Sequence, residues 1–254
     1  SMAYYVIICK WYVLFIIFTI CTTYGSTIWI DKLLKKQNAI VKSHKEDWDR
    51  QTRKDYKEKG RKKRVAVMLF ALLCNFGILA FLKYIPYAGE LGLLLPLGIS
   101  FYTFQSMGYV MDVYREIVEP EKNFLKVALF VSFFPQIIQG PIAIYDKLAG
   151  QLYEGHSLRL ENLQKGALLV LWGVMKKLVI ADRAVNIINF VMDKPMDFSG
   201  TYVFFAAVVY ALQLYADFSG GIDIVRGIAE MFGITMSTNF NHPYFSRSLT
   251  EYWH

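Results

Sequence analysis

Gly60-Arg61-Lys62-Lys63-Arg64 runs directly into Val65-Ala-Val-Met-Leu-Phe-Ala-Leu-Leu-Cys-Asn-Phe-Gly-Ile-Leu-Ala-Phe-Leu82. The eighteen residues of the second string carry no charge. As a helix rising about 1.5 Å per residue they reach roughly 27 Å, close to the thickness of a bilayer core. A cationic cluster abutting such a run is the signature of a membrane span with its basic end in the cytosol. The rest of the 254-residue chain agrees: 55% of its side chains are hydrophobic, 16% aromatic and only 19% charged. Soluble domains have about 45–50% apolar and about 25% charged residues, which excludes an ordinary cytosolic enzyme. Forty-one aromatic residues exclude a solvated, disordered coil. The composition predicts an all-α, multi-pass integral membrane protein.

The formal net charge of +7 is concentrated in one place. Between Lys32 and Arg64 fourteen Lys/Arg face five Asp/Glu, a net of +9, so the remainder is slightly acidic. A nucleic-acid binder would spread its basic residues over a globular face with motif support, and nucleic acid is excluded as a partner. Residues 32–64 read as a basic cytoplasmic loop, partly helical, that orients the chain. A sharper reading gives Arg61–Arg64 a contact with membrane lipids, since each such charge near anionic headgroups is worth about 1 kcal/mol. Cys9, Cys21 and Cys74 lie within hydrophobic stretches at no metal-ligand spacing, and no metal site is expected. No cleavable signal peptide is evident.

The first span covers residues 4–30, interrupted by Lys10 and flanked by an aromatic belt of Tyr4, Tyr5, Trp11 and Tyr12. After the span 65–82, closed by Lys83-Tyr84-Ile85-Pro86, the region Leu91–Tyr114 contains Pro96, Gly98 and Gly108 and predicts a broken or re-entrant helix. Phe124–Ile144, with Pro135, Gly140 and Pro141, ends in the same irregular way. Leu158–Met192 reads as one long helix, amphipathic or tilted, because Lys176-Lys177 and Asp182-Arg183 fall inside its apolar pattern. Tyr202–Tyr215 leads to Asp217-Phe218-Ser219-Gly220-Gly221, where a helix break is expected, and a shorter apolar stretch follows from Ile222 to Ile234. Ser248 with Glu251 three residues on fits a capping box, and the chain stops just after that helix opens, the pattern of a cut chain.

Known catalytic signatures such as a P-loop, HExxH or GxGxxG are absent. His44 and His156 read as surface residues and His242 as part of a turn, while nothing in the sequence shows what the terminal His254 faces. Asp217 is more informative, because a carboxylate at the end of an apolar span is placed by default at a polar cavity or a partner. The alternative is an interfacial residue capping the helix after Gly221. In a continuous helix Asp223 stands about 240° around from Asp217, so the two share a face only if the glycine pair breaks the helix. Gln105, Gln136, Gln139 and Gln213 are amides in apolar surroundings and read either as a polar interior path or as interhelical hydrogen bonds.

Several strings together carry a family resemblance. They are Pro96-Leu-Gly-Ile-Ser-Phe-Tyr-Thr-Phe-Gln105 with Asp112-Val-Tyr-Arg115, Phe134-Pro-Gln-Ile-Ile-Gln-Gly-Pro141, and Trp172-Gly-Val-Met-Lys-Lys-Leu-Val-Ile-Ala-Asp-Arg183. Tyr215-Ala-Asp-Phe-Ser-Gly220 and Asn239-Phe-Asn-His-Pro-Tyr-Phe-Ser-Arg-Ser248 complete the set. In this order they resemble the membrane-bound O-acyltransferase family, in particular its bacterial alginate O-acetyltransferase branch. The D-alanyl lipoteichoic acid transfer branch is the nearest relative. The resemblance implies broken and tilted helices around a tunnel, formed by a single membrane domain over 1–254 with a helical core at 65–254. It implies an acetyl or other acyl group moving from a cytosolic donor, such as acetyl-CoA or an acyl carrier protein, to an extracytoplasmic polysaccharide acceptor. A separate extracytoplasmic acyltransferase would be its partner. Asp217, Asp223, Asn239 and Gln139 are the candidate tunnel-lining residues. The catalytic residue is unknown: the family histidines lie beyond His254, which itself falls where the family has Arg, so this stretch is expected to be truncated at both ends and inactive alone. The rival readings are a transporter or flippase for a polar substrate, which predicts repeated halves with interrupted helices, and a non-catalytic membrane scaffold. Residues 65–150 and 160–245 show no such repeat.

Overall fold

A computed structural model describes residues 1–44, 47–84, 95–240 and 243–253. Among them the chain is helical throughout, without strands. It forms two compact units, one of residues 1–138 and 142–154, the other of residues 139–141 and 155–254.

In the first unit a short helix α1 (Met2–Cys9) ends at Lys10, whose φ of 47° lies in the left-handed region that a side chain disfavours. The predicted first span is therefore broken where its charge interrupts it. Helix α2 (Val13–Ser43) resumes after one 3₁₀ turn and α3 covers Arg50–Tyr84. Both continue far into the basic segment, so the loop expected at 32–64 is almost entirely helix, with only residues 44–49 connecting the two. Lys, Arg, Gln and Glu are good helix formers, and these solvated extensions need no apolar face.

Each long helix is apolar on its outside. Phe70 and Leu73 of α3 are 63% and 72% exposed, whereas Val67, Ala71, Asn75, Leu79 and Leu82, three or four residues apart, turn inward. That inversion suits lipid as the outer solvent. Helices α2, α3 and α4 (Ile99–Tyr114) pack pairwise. Asn75 donates from Nδ2 to Thr22 Oγ1 at 2.9 Å, joining α3 to α2. Helix α4 starts at Gly98, in left-handed backbone with φ 69°, where a Cβ would collide with the carbonyl of Ile137. Leu91–Leu94 and the Ile85-Pro86 closure lie outside the described residues.

The region after α4 is broken, as its prolines and glycine predict. Helix α5 (Phe124–Val131) is capped by Asn123, whose Oδ1 accepts from the Leu125 amide at 2.9 Å. Helices α6 (Phe134–Gln139) and α7 (Tyr145–Tyr153) follow. Gln105 donates to the Phe130 carbonyl at 3.1 Å, so this amide serves interhelical hydrogen bonding. Tyr109 stacks on Tyr145 with centroids 4.1 Å apart, and burial pushes the neighbouring Tyr153 phenol up to about 12.

The second unit is built on an antiparallel helix pair. Helix α8 (Leu160–Met175) passes through a π-helical turn, Lys176–Ala181, into α9 (Asp182–Met192), which realises the long helix expected there. Helix α10 (Gly200–Met231) is continuous, and α11 (Leu249–Trp253) ends the described chain. The break expected at Gly220-Gly221 is absent. The glycines serve close packing instead: a Cβ at Gly173 would lie 2.5 Å from the Gly220 carbonyl oxygen, and one at Gly166 equally close to that of Gly227. Each partner in these contacts is seven residues from the next, which keeps them on one face of each helix. Three helices, residues 5–43, 50–84 and 200–231, are long and apolar enough to cross a membrane, and the protein is an all-α membrane protein.

Candidate functional site

Within the second unit the π turn decides the electrostatics. Its wider winding holds successive side chains less than the usual 100° apart, so the adjacent Lys176 and Lys177 both reach α10. Lys176 Nζ donates to Asp223 Oδ2 at 2.6 Å and to Ser219 Oγ at 3.4 Å, and lies 5.6 Å from the centre of the Trp172 ring. Arg226, one turn beyond Asp223, donates from Nη1 to Asp223 Oδ1 at 3.1 Å. Lys177 Nζ donates to Asp217 Oδ1 at 2.6 Å.

These two ion pairs differ in depth. The Lys176 and Asp223 side chains are 15% and 12% exposed, those of Lys177 and Asp217 45% and 39%. Both oxygens of Asp223 are engaged by cations, so it anchors the two helices. Among the described residues Asp217 is engaged through Oδ1 alone, which leaves its second oxygen to solvent. Because α10 is continuous, Asp217 does not cap a following helix, and the two carboxylates stand on different faces, each with its own lysine. Intramembrane charges are placed in pairs of this kind because an unpaired one is costly in lipid.

Gln139, at the end of α6, belongs to the same unit. Its side-chain amide sits against Gly221, where a Cβ would collide with Oε1. Gly221 is one turn from Asp217 and two residues from Asp223, so three of the four candidate positions gather on one stretch of α10. Asn239 is exposed on the extended segment after α10. Its neighbour Phe240 meets Tyr215 and Phe218 edge-on at 5.7 and 5.6 Å, and Tyr244 donates to the Ala211 carbonyl at 2.7 Å, which lays this segment along α10. The structure therefore lays the Asn239 segment along the same helix, beside the residues that flank Asp217.

His156 is exposed and packs against Gly233, and His44 is exposed and stacks on Trp48 at 4.9 Å. His242 and His254 lie outside the described residues. Among the described residues no three His, Cys, Asp or Glu side chains converge as metal ligands, and the three cysteines are free thiols. The partners that sequence reasoning left unassigned are Lys176, Lys177, Ser219 and Arg226. A signal existed for Lys177. The equal spacing of Gly166–Gly173 and Gly220–Gly227, aligned antiparallel, sets residues 176–177 beside residues 216–217 and so points to the Lys177–Asp217 pair.

No family model matches the chain. Individual proteins do. It is 32% identical over 224 residues to a peptidoglycan O-acetyltransferase of Helicobacter pylori, covering 73% of this chain and 42% of that protein. It is 37% identical over 162 residues to a probable alginate O-acetylase of Pseudomonas syringae pv. tomato, covering 63% of this chain and 30% of that protein. A teichoic acid D-alanyltransferase of Bacillus subtilis is 25% identical over 163 residues. The chain spans less than half the length of the curated relatives it matches.

Proposed function

Because the chain belongs to the membrane-bound O-acyltransferases, in their alginate O-acetylase-like branch, we propose that it is part of an enzyme that acetylates a cell-surface polysaccharide. In this reading an acetyl or related acyl group passes from a cytosolic donor, acetyl-CoA or an acyl carrier protein that is not held tightly, to an acceptor outside the membrane. A separate extracytoplasmic acyltransferase completes the transfer. The basic ends of α2 and α3 face the cytosol, where the excess of Lys and Arg retains them. The observation that carries the reading is the 32% identity over 224 residues to an O-acetyltransferase of a cell-wall polymer.

The charged cluster on α8 and α10 supports the reading in a limited way. It supplies a polar lining with one carboxylate oxygen of Asp217 still open, while Lys176, Asp223 and Arg226 fix the helix pair that presents it. General acid–base work needs a group of suitable pKa within reach of the proton. The resemblance assigns that work to histidines that match none of the four here, so these 254 residues alone are inactive.

The test reconstitutes this chain, and separately the full coding sequence that contains it, in liposomes loaded with labelled acetyl-CoA and bathed in polysaccharide. Label should reach the external polymer only with the full protein. Robust turnover by the 254 residues alone would show that the absent histidines are dispensable, and no transfer by the full protein with either donor type would sink the acetylation reading.

A further inference from the structure

The solvated halves of α2 and α3 enclose a groove of about 750 Å³ that the acyl-transfer reading does not use. Its floor is Arg64, the last residue before the apolar run of α3. Arg64 is 8% exposed, its Nη1 donates to Glu116 Oε1 at 2.7 Å, and its Nε is buried without any partner. Glu116 is held in the left-handed region, φ 63°, a conformation that costs a side-chain-bearing residue about 1 kcal/mol or more. Gln37 is 6% exposed; its Nε2 donates to the Lys57 carbonyl at 3.1 Å, and its Oε1 is buried with no partner. Lys54, Lys57 and Arg61 line the same groove with Glu58 and Lys62; among the described residues Glu58 pairs with Lys62, and the other three make no ion pair. Buried polar atoms are nearly always satisfied, so a buried guanidinium donor left open beneath three unpaired cations marks a place for an anion.

The position of the groove selects the anion. Its lining includes Leu34 and Val65, where the two helices turn apolar, and Trp29, 56% exposed, lies just over one turn before Leu34 as an interfacial anchor. One end of the groove is thus cationic and the other continues into the lipid-facing surface. A soluble phosphate would leave that apolar end empty. We propose that the groove is a binding site for an anionic phospholipid: the headgroup phosphate sits among Lys57, Arg61 and the guanidinium of Arg64, and the glycerol and acyl chains leave over Leu34 and Val65.

The test places the full chain in phosphatidylcholine nanodiscs and titrates short-chain phosphatidylglycerol, short-chain phosphatidylcholine and inorganic phosphate, read by native mass spectrometry and tryptophan fluorescence. Phosphatidylglycerol should bind saturably and at least about tenfold more tightly than the other two. The exposed double variant Lys57→Glu/Arg61→Glu should weaken it by about tenfold or more. Lys36→Glu/Lys63→Glu changes the charge equally but lines a different groove of the same hairpin, and should leave the affinity within about twofold. Equal loss in both variants would reduce the effect to a diffuse field, and inorganic phosphate binding as well as phosphatidylglycerol would make it a soluble-anion site. Either result, or no saturable binding, overturns the proposal. Because no acetyl transfer is measured, its failure is independent of that of the proposed function.

Discussion

Glycines inside the apolar stretches of the helices perform opposite tasks in the two units. In the first unit Gly25, Gly77 and Gly108 lie in long helices with nothing within 4 Å of where a Cβ would stand. In the second, Gly166, Gly173, Gly220 and Gly227 each face a backbone carbonyl of the partner helix. The first unit is held by side chains: hydroxyls and amides such as Asn75–Thr22 and Gln105–Phe130, and an aromatic cluster around Tyr109. The second is held by backbone contact, and its long side chains are left free to form ion pairs. Where helices touch through glycine, charged residues at the margins of the contact come close enough to find partners on the facing helix.

The sharpest way to break this comparison is Gly173→Leu. Its side chain would drive into the Gly220 carbonyl, a backbone clash well beyond the roughly 1–3 kcal/mol of an ordinary overpacked core. Fluorescence-detected melting in detergent should show collapse of the cooperative transition. Gly77→Ala, in open space, should leave the melting temperature unchanged or raise it, since alanine is the better helix former by about 1 kcal/mol. If both substitutions are tolerated, close contact does not hold the second unit. Next in size is Asp223→Asn, which strands Lys176 and Arg226 and should cost about 3–5 kcal/mol. Restoring much of it with Lys176→Met in the same chain would identify the uncompensated lysine as the source.

Gln105→Leu tests the first unit. Loss of one interhelical hydrogen bond within a membrane bundle is expected to cost roughly 0.6–1.7 kcal/mol, and a larger loss would mean that the amide does more than join α4 to α5. The smallest effect belongs to Lys177→Met. Its pair with Asp217 is nearly half exposed, and such pairs contribute about 0–1 kcal/mol. A cost matching that of Asp223→Asn would mean that the difference in exposure between the two pairs has no energetic meaning.

Spans, breaks and the cationic segment were legible because they depend on runs of one residue type. Lys10 and Pro135 interrupt helices where their chemistry requires it. Gly220-Gly221 misled for an equally physical reason: glycine lowers helix propensity locally, yet a facing helix that needs the missing side chain overrides that preference. The charge network was half legible. Asp217 and Asp223 are conspicuous in an apolar run, but their lysine partners lie 40 and 47 residues away in sequence, and only Arg226, three residues from Asp223, is a local one. Asn239 was legible from its motif alone, and the contacts of Phe240 and Tyr244 lay its segment along α10. The two units share neither packing mode nor helix pattern, whereas a transporter of inverted repeats would have shown the same one twice.

The π turn between α8 and α9 gives this segment a constraint on length as well as on residue type. Because the wide turn absorbs one extra residue, removing one from Lys176–Ala181, Leu178 for example, would let the helix close up as an ordinary α-helix while everything beyond keeps nearly the same orientation. Ile188 and Val191 would stay buried, and only the lysines would lose their shared direction. A single-residue deletion therefore separates the ion pairs from the packing that surrounds them.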